Sequence, residues 1–219
     1  MGRGYRWLRE SNPDVDLVVV YGAHRSEAGP TTGFCDAGWE TPLGLLRTAE
    51  GVAQEVRARL SIGREPAVPA RPDNAAEVHM PFVRYFFPSA ELLMMGVEAS
   101  ARALEIGQTV AAVCRELGRK AVFVGSTDLT HYGPNYGFQP QGRGEDAVRW
   151  VRDVNDQGFL APLLAGQSDE ALRHALEHGS ACCPGAVLAA VGSAQALGEE
   201  GDGPKLVAHY LSYDVMPSD

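Results

Sequence analysis

The hydrophobic pattern of the chain alternates between short apolar runs and longer stretches with helical spacing. Short, β-branched apolar runs are typical of strands buried on both faces of a parallel sheet. We predict such strands over residues 16–21, 92–97 and 121–125. Apolar and charged residues recur at helical spacing elsewhere, and we predict helices over 48–60, 77–87, 99–117, 145–159, 168–178 and 184–197. This alternation indicates an α/β fold, a layered domain whose central mixed, largely parallel sheet is flanked by helices.

Glycine, proline and polar residues mark the breaks between these elements. We expect loops over residues 26–47, 64–74 and 133–144. Gly118 and Ser168 are expected to cap the helices beside them. Residues 206–215 alternate between apolar and polar types and predict a late, antiparallel strand near an edge. The pattern shows no repeat, so we expect residues 1–219 to form one domain.

Charge and cysteine content narrow the class of protein. The net charge is -9 and the chain has no cluster of Lys and Arg, which argues against a nucleic-acid partner. No apolar stretch reaches the roughly 20 residues that cross a bilayer, and no signal peptide opens the chain. The cysteines match neither a zinc finger nor a CxxC motif: Cys35, Cys114, Cys182 and Cys183. These features predict a reduced, cytoplasmic protein with no membrane partner.

The segment after the third predicted strand carries the clearest chemical signal. Asp128 and His131 are three residues apart, a spacing that places both side chains on one side of the turn if that turn is helical. A carboxylate beside an imidazole fixes its tautomer and raises its pKa, which suits acid–base catalysis near neutral pH. The alternative is that Asp128 caps a helix and His131 is a satisfied, partly buried histidine.

Other candidate residues are weaker when taken alone. His24 follows the first predicted strand, at the sheet edge where α/β proteins gather ligand groups. Glu77 and His79 share a face only if their segment is extended, and a structural role is the simpler explanation. Cys182 and Cys183 precede an apolar helix, whose dipole favours a thiolate, although cysteine is also a common core residue. His174 and His178 have helical metal-chelating spacing but are expected to be surface residues.

Five segments of the chain resemble, in order, motifs of one known family, the Memo family, also called the AmmeMemoRadiSam system protein B family. The likeness runs from about residue 18 to the C terminus. Each motif is modest by itself, but five in the same order make a specific match. The segments are VVVYGAH at 18–24, WETPLG at 39–44, EVHMPF at 77–82, GSTDLTHYG at 125–133 and CCPGAV at 182–187.

The resemblance implies a fold similar to the class III extradiol dioxygenases, which open catechol rings with non-haem Fe(II). It also implies a pocket in which His24 and Cys182 bind a metal, with Asp128 and His131 as the acid–base pair. Glu77 and His79 are secondary pocket candidates on the same grounds. A cysteine in place of the dioxygenases' carboxylate favours copper or a thiolate-bound iron over a hard-ligand Fe(II) centre.

The chain departs from the family pattern at its beginning. The family has a P-H-A-G-Y-like segment that supplies a first histidine, whereas here no histidine precedes His24. Two explanations stay open: the first ligand has been lost, or the natural chain starts upstream of Met1. An incomplete ligand set predicts weak metal binding and leaves Fe(II) oxygenase activity in doubt.

These observations favour a metal-linked redox protein with a dioxygenase-type pocket, acting on a small molecule or peptide. Extradiol ring cleavage by an oxidoreductase is the specific reaction that the resemblance implies. The alternative is a non-catalytic protein that binds a peptide or small molecule in the same pocket. A third hypothesis is a thiol-based redox role for Cys182 and Cys183. A homo-oligomer is compatible with all three.

Overall fold

The computed structural model describes residues 1–27, 29–34, 38–65 and 73–198. Its strands are β1 (Leu17–Gly22), β2 (Thr32–Phe34), β3 (Gly38–Thr41), β4 (Gly44–Arg47), β5 (Gly63–Glu65), β6 (Glu91–Gly96) and β7 (Ala121–Gly125). Its helices are α1 (Gly2–Ser11), α2 (Glu50–Leu60), α3 (Asn74–Glu77), α4 (Met80–Phe86), α5 (Arg102–Glu116), α6 (Glu145–Trp150), α7 (Asp156–Leu164), α8 (Ser168–His178) and α9 (Pro184–Gly198). A 3-10 turn covers Pro134–Tyr136, and a π-helical segment, Val151–Asn155, joins α6 to α7.

The central sheet has the strand order β5-β2-β6-β1-β7. Strand β1 pairs in parallel with β6 on one side and β7 on the other, and β2 runs antiparallel to β6. Strands β3 and β4 form a separate two-stranded ribbon. The predicted α/β fold with a mixed, largely parallel sheet flanked by helices is therefore confirmed.

Strand β1 lies at the centre of the core because all six of its residues are buried. Its side chains alternate between the two sheet faces. Leu17, Val19 and Tyr21 pack into a core cluster with helices α2, α5 and α9, whereas Val18 and Val20 pack into another with α1 and α4. Burial of each such side chain stabilises the fold by about 1.5–3 kcal/mol.

Helix α9 is held firmly against this sheet, and its start carries the two adjacent cysteines. The hydroxyl of Tyr21 lies 2.8 Å from Oγ of Ser193 in α9. Gly107 lets α5 approach α9 so closely that a Cβ there would lie 1.9 Å from the carbonyl oxygen of Ala189. The position of α9 is therefore set by backbone-to-backbone packing, which leaves the helix little freedom of movement.

Several sequence predictions are corrected by the structure. The expected loop 26–47 contains β2, β3 and β4, which are too short to show a period of two. The predicted helix 77–87 is instead two short helices, α3 and α4, separated at Val78 and His79. The predicted helix 145–159 continues to Leu164 through the π-helical segment.

Of the two predicted helix caps, Gly118 is confirmed and Ser168 is wrong. Gly118 follows the end of α5 with φ of +65°, as a glycine cap requires. Gln167 takes the cap position of α8, and Ser168 is the first residue of the helix. The buried Oγ of Ser168 has no hydrogen-bond partner. The predicted strand over 206–215 lies outside the described residues. Within the described ranges, no helix combines the length and apolar character needed to cross a membrane.

Candidate metal and acid–base site

The candidate site forms where two neighbouring strands end. Strands β1 and β7 are parallel, so their carboxyl ends meet at one edge of the sheet. Strand β1 leads through Ala23 to His24, and β7 leads to the segment 126–131. Gly125 lets this edge contact α9 closely, since a Cβ there would lie 2.7 Å from the carbonyl oxygen of Ala186. The start of α9 thereby brings Cys182 and Cys183 to the same edge.

Cys182 is tied to the strand β7 turn by several hydrogen bonds. Its sulfur accepts from the backbone N–H of Asp128 at 3.2 Å and lies 3.7 Å from Oγ1 of Thr127. Its own backbone N–H donates to the carbonyl oxygen of Asp128 at 3.0 Å. The backbone N–H of Cys183 donates to Oγ1 of Thr127 at 3.0 Å. These bonds hold the Cys182 sulfur at the centre of the site.

The two sulfurs, 3.5 Å apart, have opposite acidities. The hydrogen bond with Cys183 lowers the pKa of Cys182 most, and the Asp128 N–H adds to this against the effect of burial, giving a pKa of about 5. The same hydrogen bond, followed by burial, raises the pKa of Cys183 far above its usual range. The hydrogen bond between the two sulfurs therefore favours a thiolate on Cys182 and a neutral thiol on Cys183.

His24 is held by a carboxylate that sequence analysis did not single out. Both its backbone N–H and its ring Nδ1 contact Asp73, at 2.8 and 3.0 Å. Burial alone would lower the pKa of His24, but the hydrogen bond with Asp73 and the nearby Cys182 together raise it. The signal for Asp73 in the sequence was its place before α3, where it accepts the N–H of Ala75 as a helix cap.

The donor atoms at this edge fall into two groups that share Cys182. In the first group, atoms of His24, Cys182 and Cys183 all lie within 4.8 Å of one another. In the second group, the same holds for Asp128, His131 and Cys182. The four residues singled out from the sequence, His24, Asp128, His131 and Cys182, thus meet in one place.

His131 and Asp128 form the solvent-facing part of the site. Nε2 of His131 lies 3.5 Å from Oδ2 of Asp128, and both side chains are partly exposed. The His131 ring stacks on Tyr136 with a centroid distance of 4.8 Å and an interplanar angle of 19°. The imidazole therefore has an orienting carboxylate on one side, an aromatic ring on its face and access to solvent.

Two buried polar residues, Asn155 and Asp156, hydrogen-bond to Thr130, the residue that precedes His131. Asp156, in the first turn of α7, accepts hydrogen bonds from the backbone N–H and the hydroxyl of Thr130. Asn155 donates to Oγ1 of Thr130 at 3.0 Å and to the carbonyl oxygen of His178 at 3.1 Å. Asn155 and Asp156 are placed by the π-helical segment, a feature that often accompanies functional sites. No sequence pattern pointed to this network.

The secondary pocket candidates Glu77 and His79 belong to neither donor group among the described residues. His79 is only 5% exposed, and its Nδ1 lies 2.8 Å from the hydroxyl of Tyr5 in α1. Burial, and then the charge of the chain's N-terminus, lowers its pKa to about 4. Glu77 accepts the backbone N–H of Asp73 at 3.4 Å. The structure thus places His79 in the core beside α1 and Glu77 next to the residue that holds His24.

The remaining histidine and cysteine candidates lie apart from the site. Nδ1 of His174 lies 2.9 Å from Oγ of Ser180, and its ring is 4.5 Å from that of His178. Neither histidine belongs to a metal-binding group found in the described part of the chain. Cys114 is buried in α5, which raises its pKa to about 12. Cys35 lies outside the described residues.

Fold and site together define the class: an α/β protein with thiolate and imidazole donors at the carboxyl edge of a parallel sheet. The chain belongs to the Memo family, since the family model "Memo-like protein" matches residues 1–219. This confirms the family expected from the motifs.

The chain is similar to archaeal proteins of this family and to a bacterial protein of known structure. A MEMO1 family protein of Pyrococcus horikoshii is 26% identical over 86% of this chain and 67% of its own length. A MEMO1 family protein of Methanothermobacter thermautotrophicus is 29% identical over 68% of this chain and 55% of its own length. The chain therefore spans between about half and two thirds of these relatives. An uncharacterized protein of Escherichia coli K12 shares the fold, with a TM-score of 0.53 at 16% identity, over 89% of this chain and 82% of that one.

The donor chemistry of the first group fits a soft or borderline metal ion. It offers one imidazole nitrogen and two sulfurs, of which that of Cys182 is the more acidic. Soft thiolate ligands select copper(I), zinc or thiolate-bound iron, whereas the facial triad of Fe(II) oxygenases has two histidines and a carboxylate. The residues present therefore fit a soft or borderline metal ion such as copper(I), zinc or thiolate-bound iron.

Proposed function

We propose that this chain is a metal-linked redox protein with a dioxygenase-type pocket that acts on a small molecule. His24 and Cys182 would bind the metal, and His131 beside Asp128 would move protons on the bound molecule. The observation that carries the proposal is the sharing of Cys182 between the two donor groups, in each of which the donor atoms lie within 4.8 Å of one another. When bound, a copper or iron ion would supply the redox chemistry.

Cys182 would serve as the anionic ligand. The hydrogen bonds from the Asp128 N–H and from Thr127 stabilise its thiolate, so little proton competition opposes metal binding at neutral pH. Cys183 lies close enough to add a second sulfur. His24 would add a nitrogen from the end of strand β1, so the ligands come from two distant parts of the chain.

His131 would act as general acid and base at Nε2. Its neighbour Asp128, 3.5 Å away, orients the ring, and the stacked Tyr136 limits its rotation. General acid–base catalysis of this kind contributes typically about 10²–10⁴-fold to a rate. Tyr136 also offers an aromatic surface beside the histidine, which suits a flat substrate such as a catechol.

The first experiment is metal analysis of protein purified without chelators, followed by reloading with copper(I) or Fe(II). We expect up to one equivalent in the wild type and a large loss in His24→Ala and in Cys182→Ala. His178→Ala is the matched control, because this exposed histidine lies outside both donor groups. Equal metal content in all four proteins would refute the site.

The second experiment tests the acid–base role. The metal-loaded protein is assayed aerobically with catechols, and His131→Ala and Asp128→Asn are compared with the wild type at equal metal content. We expect ring-cleavage product from the wild type and a drop of about 10²-fold or more in His131→Ala. Equal rates in the wild type and His131→Ala would refute the role. If the protein takes up no metal at all, the result favours the alternative of a non-catalytic protein that binds a peptide or small molecule.

A thiol-based redox function is the second candidate, and the 3.5 Å between the two sulfurs favours it. Hydrogen peroxide would accept two electrons and two protons from the thiols of Cys182 and Cys183, giving a disulfide and two water molecules. Mass spectrometry of metal-free protein after peroxide treatment tests this. A linked 182–183 peptide that dithiothreitol reverses supports the candidate, and only irreversible oxygen addition contradicts it.

A further inference from the structure

Asp73 makes an unusual number of contacts with the segment that presents His24. Its Oδ2 accepts the backbone N–H of His24 at 2.8 Å, and its Oδ1 lies 3.0 Å from Nδ1 of the same residue. Oδ1 also accepts the N–H of Ala75 at 3.0 Å, which ties the carboxylate to α3. One side chain therefore holds both the main chain and the ring of His24 and is itself held by a helix.

The contact between Asp73 and Nδ1 determines which ring nitrogen of His24 has a free lone pair. An ionised carboxylate only accepts hydrogen bonds, so Nδ1 of His24 must carry the proton that lies between them. In a neutral imidazole the other nitrogen, Nε2, then has the lone pair. Nε2 is the nitrogen left for the group that contains Cys182 and Cys183.

The main chain before His24 needs such support. Ala23 is buried and has φ of +63°, a left-handed conformation that is unfavourable for a non-glycine residue. The hydrogen bond from the next N–H to Asp73 helps to offset this cost. Gly22 allows α3 to come near enough for the bond, because a Cβ at Gly22 would lie 2.5 Å from the carbonyl oxygen of Ala75.

We infer that Asp73 is a positioning residue that fixes the His24 tautomer and aims Nε2 at the two cysteine sulfurs. The inference rests on the proposed metal site for its functional meaning, but the tautomer itself exists without metal. A carboxylate bonded to a ligating histidine also raises the basicity of the ligand, and loss of such partners typically weakens metal binding about 10–100-fold.

The test uses the full chain and two readouts. Long-range ¹H–¹⁵N NMR of metal-free protein, at a pH where His24 is neutral, identifies its tautomer; the His24→Gln variant assigns the signals. Titration with Co(II), whose absorption reports thiolate coordination, gives the affinity. The variants are Asp73→Ala and Asp73→Asn. Glu50→Ala, which removes a first-turn carboxylate from α2, is the control.

In the wild type and in Glu50→Ala we expect the Nδ1–H form and the same Co(II) affinity. In Asp73→Ala we expect the tautomer to be no longer held and Co(II) binding to weaken about 10–100-fold. Asp73→Asn keeps the helix cap, so it carries the test if the alanine variant does not fold, and we expect a smaller loss in the same direction.

Unchanged tautomer and unchanged affinity in both folded variants would overturn the inference. If the Asp73 variants shift the His24 tautomer but the wild type binds no Co(II), the positioning role of Asp73 stands and the proposed metal function fails. A wild type that binds Co(II) while its His24 carries the proton on Nε2 refutes the role of Asp73 and leaves the metal site intact.

Discussion

The backbone N–H of Asp128 donates a hydrogen bond to the sulfur of Cys182 over 3.2 Å, across 54 positions of sequence. The residue that orients His131 thereby also stabilises the thiolate. Movement of this turn would alter the imidazole and the sulfur together. Metal binding and proton transfer are thus expected to be coupled through one peptide unit.

Alkylation of Cys182 should depend on pH in a way that its neighbours do not. Its pKa of about 5 keeps it ionised at neutral pH, so its reaction rate with iodoacetamide should be flat above about pH 6 and fall below pH 5. Cys183 and Cys114 should stay unreactive because their pKa values are raised. Mass spectrometry of metal-free protein over a pH series measures this.

The hydrogen bond with Cys183 is the largest cause of the lowered pKa of Cys182. Cys183→Ala should therefore move the midpoint of the alkylation profile to higher pH. Cys114→Ala should leave the midpoint where it is. An unshifted midpoint in Cys183→Ala would show that the main-chain donor of Asp128 suffices.

Gly185→Ala should destabilise the protein and disturb the site. A Cβ there would lie 2.0 Å from the carbonyl oxygen of Glu98, so the start of α9 must shift, at a cost of about 1–3 kcal/mol. Gly51→Ala is the matched helical control, because no atom lies within 4 Å of its added Cβ. We expect it to stabilise by about 0.5–1 kcal/mol. Urea denaturation compares the two, and equal midpoints would contradict the packing.

Asp156→Ala should loosen the turn that carries His131. The carboxylate is buried and accepts two hydrogen bonds from Thr130, and a buried group left unpaired costs about 1–3 kcal/mol. Asp169→Ala, an exposed first-turn residue of α8, is the control. Denaturation and the His131 NMR signal are the measurements. A change in stability with no change at His131 would limit Asp156 to a purely structural role.

His79 should make stability depend on pH. Its pKa is lowered to about 4 in the folded protein, below the ordinary value of 6.5, so the unfolded chain binds more protons between these values. This stability is fully present above pH 6.5 and is lost progressively as pH falls towards 4. His79→Gln should flatten the dependence, measured as unfolding free energy at pH 5 and 7. His178→Gln, an exposed change, should not flatten it.

The sequence predicted the central layers of the fold because their signals are local. Strands β1, β6 and β7 are short apolar runs, and α5 and α9 are long helical patterns. Short strands such as β2 and β3 were missed, since three or four residues cannot display a period and their pairing is long-range. The break at Val78 was missed because Pro81 fits a first helical turn anywhere in that segment.

The site was predicted in part for the same reason. His24, Asp128, His131 and Cys182 stand in family motifs at the ends of elements, and the structure brings them together. Asp73 was missed because α3, the short helix that it caps, was itself not predicted. Asn155 and Asp156 were missed because a π-helical segment has no period that a sequence scan detects. His79 was placed near the pocket by its motif, but only the packing of Tyr5 shows that it faces the core.

The donors at the sheet edge are gathered from chain segments far apart, one after β1, one after β7 and one before α9. Unlike a compact loop that folds around its ion, these atoms become neighbours only once the central strands have paired and the last described helix has docked. The lowered pKa of Cys182 therefore also reports whether α9 is docked against the central strands. A trace alkylating agent, added at mild denaturant concentrations, would reveal undocking of α9 well before global unfolding registers by circular dichroism.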